Sequence, residues 1–419
     1  MSRHDAIVIG CGLAGMSAAV RLAEDGARVL VLAKGIGATH LSAGTIDVLG
    51  YSSTGRVENP GEELGRLDPG HPYSVIGVDA VSAAMDWFQG RVAEGPLALY
   101  AYRGGLDENL LLPTALGVAR PSALVPETMA GGDLRDRSPI LVVGLRGFKD
   151  FHPALLAATL RRSGYEARAT ELEVAPEGRV DVNSLGYARA FDRPGFRVEI
   201  AGQLLHRLRP EERVAFPAVL GIGDPHGAWA DLERRLGRPV FEIPTLPPSV
   251  PGMRLFSVLR DALRRAGGRM ILNAVVTGAE REGGRVAALR VRVGLREERR
   301  ACDWVVLASG GFASGGLELD SRWRASETAL GLPVSGVPAP GEQRFAPGYF
   351  DDQPIAKAGV AVGSDLRPEG LENVLVAGAT LAGAEPWREK SGDGISLATG
   401  HRAAELVLGA TREPAAASA

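Results

Sequence analysis

Three glycines near the N-terminus, Gly10, Gly12 and Gly15, stand at G-x-G-x-x-G spacing in Asp5-Ala-Ile-Val-Ile-Gly-Cys-Gly-Leu-Ala-Gly. That spacing suits the binding of a phosphate. Gly10 permits a tight turn, Gly12 lets the backbone approach phosphate oxygens, and Gly15 lets helix and sheet close together. The helix that follows presents unpaired N–H groups and the positive end of its dipole to the anion. The flanking residues support this reading. Residues 6–9 form an apolar strand, and Leu13, Met16, Ala19, Val20 and Ala23 recur at helical spacing up to Gly26. Residues 28–32 then make a second apolar strand, completing half of a dinucleotide-binding unit. Asp5 and the glycines also interrupt the apolar run of residues 1–20, so we do not expect a secretory signal there.

A dinucleotide site usually places an acid about 20 residues further on, at the end of the second strand, to hold the adenosine ribose. Here that end is Leu32-Ala33-Lys34, and no carboxylate follows until Asp47. Alanine accepts nothing from a ribose, and Lys34 offers only donors, which suit a terminal phosphate. The residues therefore favour FMN, with FAD as the alternative.

Further candidates lie at glycine-rich turns. Ser42 and Gly44, in a loop of small residues after the second strand, are expected beneath a flavin ring. Ser309 and Gly310 end a late apolar strand, at the edge where α/β folds bind ligands. Gly378 and Gly394 flank the start of the last helix, whose N-terminus would stabilise negative charge on a flavin. For acid–base or phosphate-binding work the candidates are His40, Lys149 and Arg254, considered alongside His71, His152, Arg388 and Lys390. No pair among them has a spacing that fixes shared geometry, so no catalytic residue is assigned.

The 419 residues allow two domains. Lys plus Arg is 47 against 50 Asp plus Glu, a net charge of −3 without a basic block, which argues against nucleic acid as a partner. No apolar run reaches the length of a membrane-spanning helix. Cys11 and Cys302 are the only cysteines. They make neither a C-x-x-C pair nor the four thiolates of an iron–sulfur cluster, and are read as packing residues that suit a reducing cytoplasm. No metal site is expected.

The elements that must position these residues fall into two groups. Apolar strands at 139–144, 215–222 and 239–243, with helices at 153–163 and 228–236, repeat a strand–loop–helix pattern. They predict an inserted second α/β domain over 75–244, with a Rossmann-like flavin-binding domain formed by 1–74 and 245–419. In the latter we expect a helix over 255–266, strands over 270–282 and 285–293 joined at Gly283-Gly284, strands from Asp303 and Glu372, a helix from Ser391 to about Leu408, and a disordered tail over 414–419. Residues 51–75 are rich in turns, a helix is expected over 79–93, and 95–138 show poor periodicity.

In this order the pieces resemble the two-dinucleotide-binding-domain flavoproteins. More closely, and over nearly the whole length, the stretches THLSAGTIDVLG, HPYSVI, PTLPPSVPGMRL, LASGGFASGGL and ENVLVAGATLAG resemble the B subunits of anaerobic glycerol-3-phosphate dehydrogenase complexes. The resemblance implies FMN as cofactor and two partners, a catalytic FAD-containing A subunit and an iron–sulfur C subunit at the membrane. It further implies oxidation of glycerol 3-phosphate to dihydroxyacetone phosphate by the complex, with electrons passing towards iron–sulfur centres and quinone. The chain would then be cytoplasmic and peripheral on the inner face of the membrane. His40 does not align with the histidine that carries flavin covalently in succinate dehydrogenases, because counting back from Gly44-Thr-Ile puts Ala38 there. The turn Glu385-Pro-Trp-Arg-Glu-Lys-Ser-Gly-Asp-Gly394 is more charged than the family pattern suggests. Two alternatives stay open: a self-sufficient FAD oxidoreductase resembling fumarate reductases, and a scaffold subunit without redox chemistry.

Overall fold

The computed structural model describes residues 3–93, 100–178, 181–348 and 351–416. The chain divides into two compact units, one of Met1–Ala38, Gly61–Trp87 and Leu259–Ala419, the other of Thr39–Pro60 and Phe88–Val258. This division differs from the expected 1–74 and 245–419 against 75–244. All four boundaries fall inside helical segments, Ala38–Leu41, Pro60–Leu64, Val78–Val92 and Val250–Arg265, whereas a sequence reading places boundaries in turns.

In the first unit, β1 (His4–Ile9), α1 (Leu13–Glu24) and β2 (Val29–Ala33) form as their pattern requires. Ile7, Val8, Leu30 and Val31 are buried, as parallel strands covered on both faces must be. The parallel sheet runs in the order Arg269–Leu272, β2, β1, Arg296–Leu307, Val374–Val376. Its register sets Ile9 beside both Leu32 and Leu307, and Leu307 beside Val376. The carboxyl ends of these strands therefore line up along one edge. The amino half of Arg296–Leu307 instead pairs antiparallel with Arg285–Val293, which pairs with Ala274–Glu282 to make a meander.

Several boundaries depart from expectation. The single strand expected over 270–282 is two, because Asn273 takes φ +56° and turns the chain from the parallel sheet into the meander. Asparagine is among the few residues that enter this region readily. The strand expected from Asp303 starts at Arg296, and the helix expected from Leu255 starts at Val250. Ser249 Oγ accepts the Gly252 N–H at 3.1 Å, and Pro251 occupies the first turn, where its missing N–H costs nothing. The last helix runs Gly392–Ala416, past Leu408 and into the tail expected to be disordered; 417–419 lie outside the described residues. Among the described residues no helix is long and apolar enough to cross a membrane.

The second unit holds a four-stranded parallel sheet in the order Ala167–Leu172, Ile140–Leu145, Arg213–Pro217, Val240–Ile243. Helix Pro153–Arg162 appears as expected, Pro225–Leu236 starts before the expected residue 228 because Asp224 caps it by accepting the Gly227 N–H, and Ser184–Phe191 and Pro194–Leu204 add to them. Val142, Leu156, Phe191, Phe216, Leu232 and Phe241 form the centre of its core. Each such side chain contributes about 1.5–3 kcal/mol on burial. The aperiodic stretch holds short antiparallel ladders, Tyr102–Gly104 with Leu124–Pro126 and Leu110–Pro113 with Ala119–Ser122; residues 94–99 lie outside the description.

Candidate functional site

Gly10, Lys34, Ser309, Gly310 and Gly378 all follow closely on strands of the parallel sheet, so one edge of the first unit gathers them. The glycines of the first turn have distinct tasks. Gly10 takes φ +108°, and a Cβ there would overlap the carbonyl oxygen of Ala308. A Cβ on Gly15 would overlap the carbonyl of Gly10. These two residues close the turn onto the sheet. Gly12 differs, with an ordinary φ of −68° and nothing within 4 Å of the position its Cβ would take. It precedes α1 as the N-cap, and no side chain caps that helix. Open space therefore lies beside an uncapped helix N-terminus, an arrangement that can take an anion.

The segment after β2 closes over this turn. Gly37, at φ +74°, passes so near that its Cβ would lie 2.9 Å from the Gly12 nitrogen, and Cys11 Sγ donates to the Gly35 carbonyl at 3.0 Å. Burial pushes the Cys11 thiol up to about 11 and the Cys302 thiol up to about 12, so both are protonated packing groups. Ala33 is buried at the end of β2, paired with Leu272. Lys34 is exposed, and its Nζ donates to the Gly315 carbonyl at 3.2 Å.

At the other strand ends, the Thr380 hydroxyl accepts the Gly310 N–H at 3.0 Å and donates to the Gly310 carbonyl at 3.2 Å. Ser309 Oγ stands 3.5 Å from the buried Glu327, whose carboxylate accepts the N–H groups of Ala329 and Leu330 at 2.8 and 2.7 Å. Gly378 takes φ +71° and donates its N–H to Thr399 Oγ1 at 2.8 Å; a Cβ there would lie 2.8 Å from that of Ala14 in α1. Gly394 is buried in the first turn of Gly392–Ala416. Gly37, Glu327, Thr380 and Thr399 escaped the sequence reading. Their signals were faint: a second glycine pair at 35 and 37, threonines among small apolar residues, and a glutamate inside the polar run Ser326-Glu-Thr328.

The charged turn before the last helix is held by hydrogen bonds among its own residues and by pairs to His71 and Asp352. Glu389 accepts the Ser391 hydroxyl at 2.7 Å and the Glu385 N–H at 2.9 Å, and lies 3.3 Å from His71 Nε2. Burial pushes its carboxyl up, but these hydrogen bonds outweigh burial and hold it below the usual range. His71 Nδ1 accepts the Tyr73 N–H at 3.1 Å, which leaves Nε2 to carry the proton of the neutral ring. Arg388 pairs with Asp352, and Lys390 Nζ donates to the Trp387 carbonyl at 2.7 Å.

The remaining candidates belong to the second unit. Ser42 Oγ accepts the Gly44 N–H at 3.2 Å, and the Gly44 carbonyl accepts the Tyr102 hydroxyl at 2.6 Å. His40 packs edge-on against Phe256, with ring centres 4.9 Å apart. Lys149 forms an exposed pair with Asp181, and His152 is exposed before helix Pro153–Arg162. Arg254 is buried and donates to Glu242 at 2.6 and 3.0 Å and to the Gly221 carbonyl at 2.9 and 2.6 Å. Glu242 also accepts the Thr128 hydroxyl and the Leu220 N–H, both at 2.7 Å. Arg254 thus holds strand, loop and helix together, and the structure does not gather His40, Lys149 and Arg254 into one cluster.

Residues 5–395 match the family described as FAD binding domain. The chain is 32% identical to the B subunit of the anaerobic glycerol-3-phosphate dehydrogenase of Pectobacterium carotovorum, over 97% of this chain and 99% of that one. It is 33% identical to the probable B subunit of the corresponding anaerobic dehydrogenase of Halobacterium salinarum, over 95% and 96% of the two chains. A solved structure of E. coli quinol fumarate reductase FrdA is similar at 9% identity, covering 97% of this chain and 70% of that one, with a TM-score of 0.43, too low to carry an argument. The family match begins in β1 and ends in the last helix, so it takes in the glycine turn and every strand end described above. The chain belongs to the FAD binding domain family, and within it to the B subunits of anaerobic glycerol-3-phosphate dehydrogenase.

Proposed function

We propose that this chain is an FMN-binding subunit of a quinone-linked glycerol-3-phosphate dehydrogenase complex. It would work beside a catalytic FAD-containing A subunit and an iron–sulfur C subunit, peripheral to the inner face of the cell membrane. The complex would oxidise glycerol 3-phosphate to dihydroxyacetone phosphate and pass electrons towards quinone. A flavin, when bound, supplies the redox chemistry; the chain holds and orients it.

The observation that carries the reading is the contrast between Gly12 and Ala33. The residues present fit the phosphate end of a flavin, because a side chain at Gly12 would fill open space beside the uncapped start of α1. They fit an adenosine half less well, because β2 ends in a buried alanine where a ribose-binding acid would stand. Under this reading Gly10 and Gly15 shape the phosphate turn and Lys34 adds positive charge near it. Ser309, Gly310, Gly378 and Gly394 then border the rest of the flavin, and Thr380 fixes the Gly310 backbone.

The test is reconstitution. The isolated chain, given glycerol 3-phosphate and a dye acceptor, should show no turnover, and adding the two partner subunits should restore electron transfer to quinone. Turnover by the chain alone would favour a self-sufficient oxidoreductase. Full activity of a complex in which this chain carries no flavin would reduce it to a scaffold.

A further inference from the structure

The first unit contains a cavity of about 400 Å³ that none of the flavin-site residues lines. Its wall comes from segments 69–75, 335–336, 357–362 and 381–383. Pro69, Pro72, Val75, Val360 and Leu381 make the wall mainly apolar, and Lys357 is its one charged residue. That volume and lining are those of a small-molecule site, in which apolar groups enclose a ligand's body and few polar groups orient it.

The cavity is built from backbone held in place. Gly383, at φ +102°, donates to the Lys357 carbonyl at 3.0 Å, and a Cβ on it would overlap the carbonyl of Gly70. Gly336, at φ +72°, passes the same Lys357 carbonyl so closely that its Cβ would lie 3.0 Å away. The Val360 N–H donates to the Thr380 carbonyl at 2.8 Å, and the Ala382 N–H to the Val360 carbonyl at 3.2 Å. Behind Pro72, the His71–Glu389–Ser391 hydrogen bonds lock the turn that supplies that wall. Because Thr380 also grips Gly310, the cavity wall and the carboxyl edge of the sheet share one hydrogen-bonded segment.

Lys357 supplies the charge preference. Its ammonium stands 3.8 Å from Asp68, with the two side chains 48% and 83% exposed, and its charge also draws down the carboxyl of Glu385, which burial pushes up. An exposed pair at that distance contributes little and gives way to a better anion. We propose that this cavity binds a small organic anion, a phosphate monoester or a carboxylate, with its carbon body against the apolar wall and its charge at Lys357. The inference stands beside the flavoprotein reading of this unit and would bring such a ligand to this chain rather than only to its partners.

Calorimetric titration of the purified full chain tests it, with flavin content measured by absorbance in the same samples. The probes are glycerol 3-phosphate, hexanoate, inorganic phosphate and glycerol. At least one of the first two should bind one-to-one and at least tenfold more tightly than phosphate or glycerol, and which one binds distinguishes ester from carboxylate. Lys357→Gln should weaken that binding tenfold or more while leaving flavin content unchanged, and Lys357→Arg should retain it. Val360→Trp, which fills the cavity, should abolish it. Failure of both organic anions to bind would overturn the inference. So would phosphate binding as tightly, indifference to Lys357→Gln, or loss of flavin in Lys357→Gln, which would assign the cavity to the flavin itself. A wild-type chain that binds an anion but no flavin would instead sink the flavoprotein reading and leave the cavity standing.

Discussion

Valine at Gly12 and alanine at Gly10 should fail in opposite ways, although the two positions are neighbours in one turn. Gly12 has an ordinary φ and open space where its Cβ would be, so Gly12→Val costs the folded chain only about 1 kcal/mol, the scale of an unfavourable N-cap. The same valine occupies the space beside the helix N-terminus and blocks close approach of a phosphate. Losing one charge-assisted hydrogen bond removes about 1.5–3 kcal/mol, or roughly tenfold to hundredfold in affinity, and losing two squares that factor. Gly10→Ala meets φ +108° and the Ala308 carbonyl. The backbone conformation costs about 1–3 kcal/mol, and relieving the overlap a similar amount again. Against a typical total stability of about 5–15 kcal/mol that is a large loss. The assay is paired: urea denaturation for stability, and the ratio of flavin to protein absorbance for occupancy. Gly12→Val should keep a near-native midpoint and emerge colourless; Gly10→Ala should unfold at much lower urea. A fully flavin-loaded Gly12→Val protein with native affinity would refute the phosphate assignment.

Arg254 should prove structural. Arg254→Ala leaves Glu242 buried without its partner and should cost about 3–5 kcal/mol in denaturation, whereas Arg254→Met with Glu242→Leu should recover much of that. Ala33→Glu should shift the chain's affinity towards FAD by tenfold or more, measured on apoprotein titrated with each flavin, at some loss of apoprotein stability because the site is buried. His401 is buried against Trp87 with Glu405, Arg21 and Arg402 around it, and burial lowers its pKa to about 4. The unfolded chain then binds a proton below about pH 6.5 that the folded chain refuses, so stability falls as pH drops from there to about 4. His401→Gln should show a smaller fall in urea midpoint between pH 7 and pH 4.5; an equal fall would remove His401 from the account.

Local signals were legible in the sequence. The strand–turn–helix–strand at the N-terminus could be read because its glycine spacing, apolar runs and helical period all fall within one short stretch. The carboxyl-edge residues were legible for the same reason, each sitting just past an apolar strand. What hid was structure made by pairing. The amino half of Arg296–Leu307 is full of charge, and only its antiparallel neighbour Arg285–Val293 makes it a strand. Helix Pro194–Leu204 buries Phe196, Ile200 and Leu204 along one face, but Arg197 sits among them and Val198 is exposed away from them, which blurs the stripe, and Asn273 gives no warning that it turns the chain out of one sheet direction. The roles of the glycines were partly hidden too. Gly10, Gly15 and Gly378 look alike in sequence, yet each is required by backbone or side-chain atoms elsewhere in the fold, whereas Gly12 alone of the fingerprint faces open space. Arg254 and the Glu385–Gly394 turn looked available for chemistry because their partners, Glu242 and His71, give no sign of the pairing in sequence.

The most direct test is to denature the purified wild-type chain and identify the released flavin by chromatography, against its molar amount. The account predicts FMN, close to one per chain. FAD at one per chain would show that backbone groups hold the adenosine without an acid at position 33 and would contradict the FMN assignment, and no flavin at all, in a chain that readily takes none up, would contradict the account as a whole.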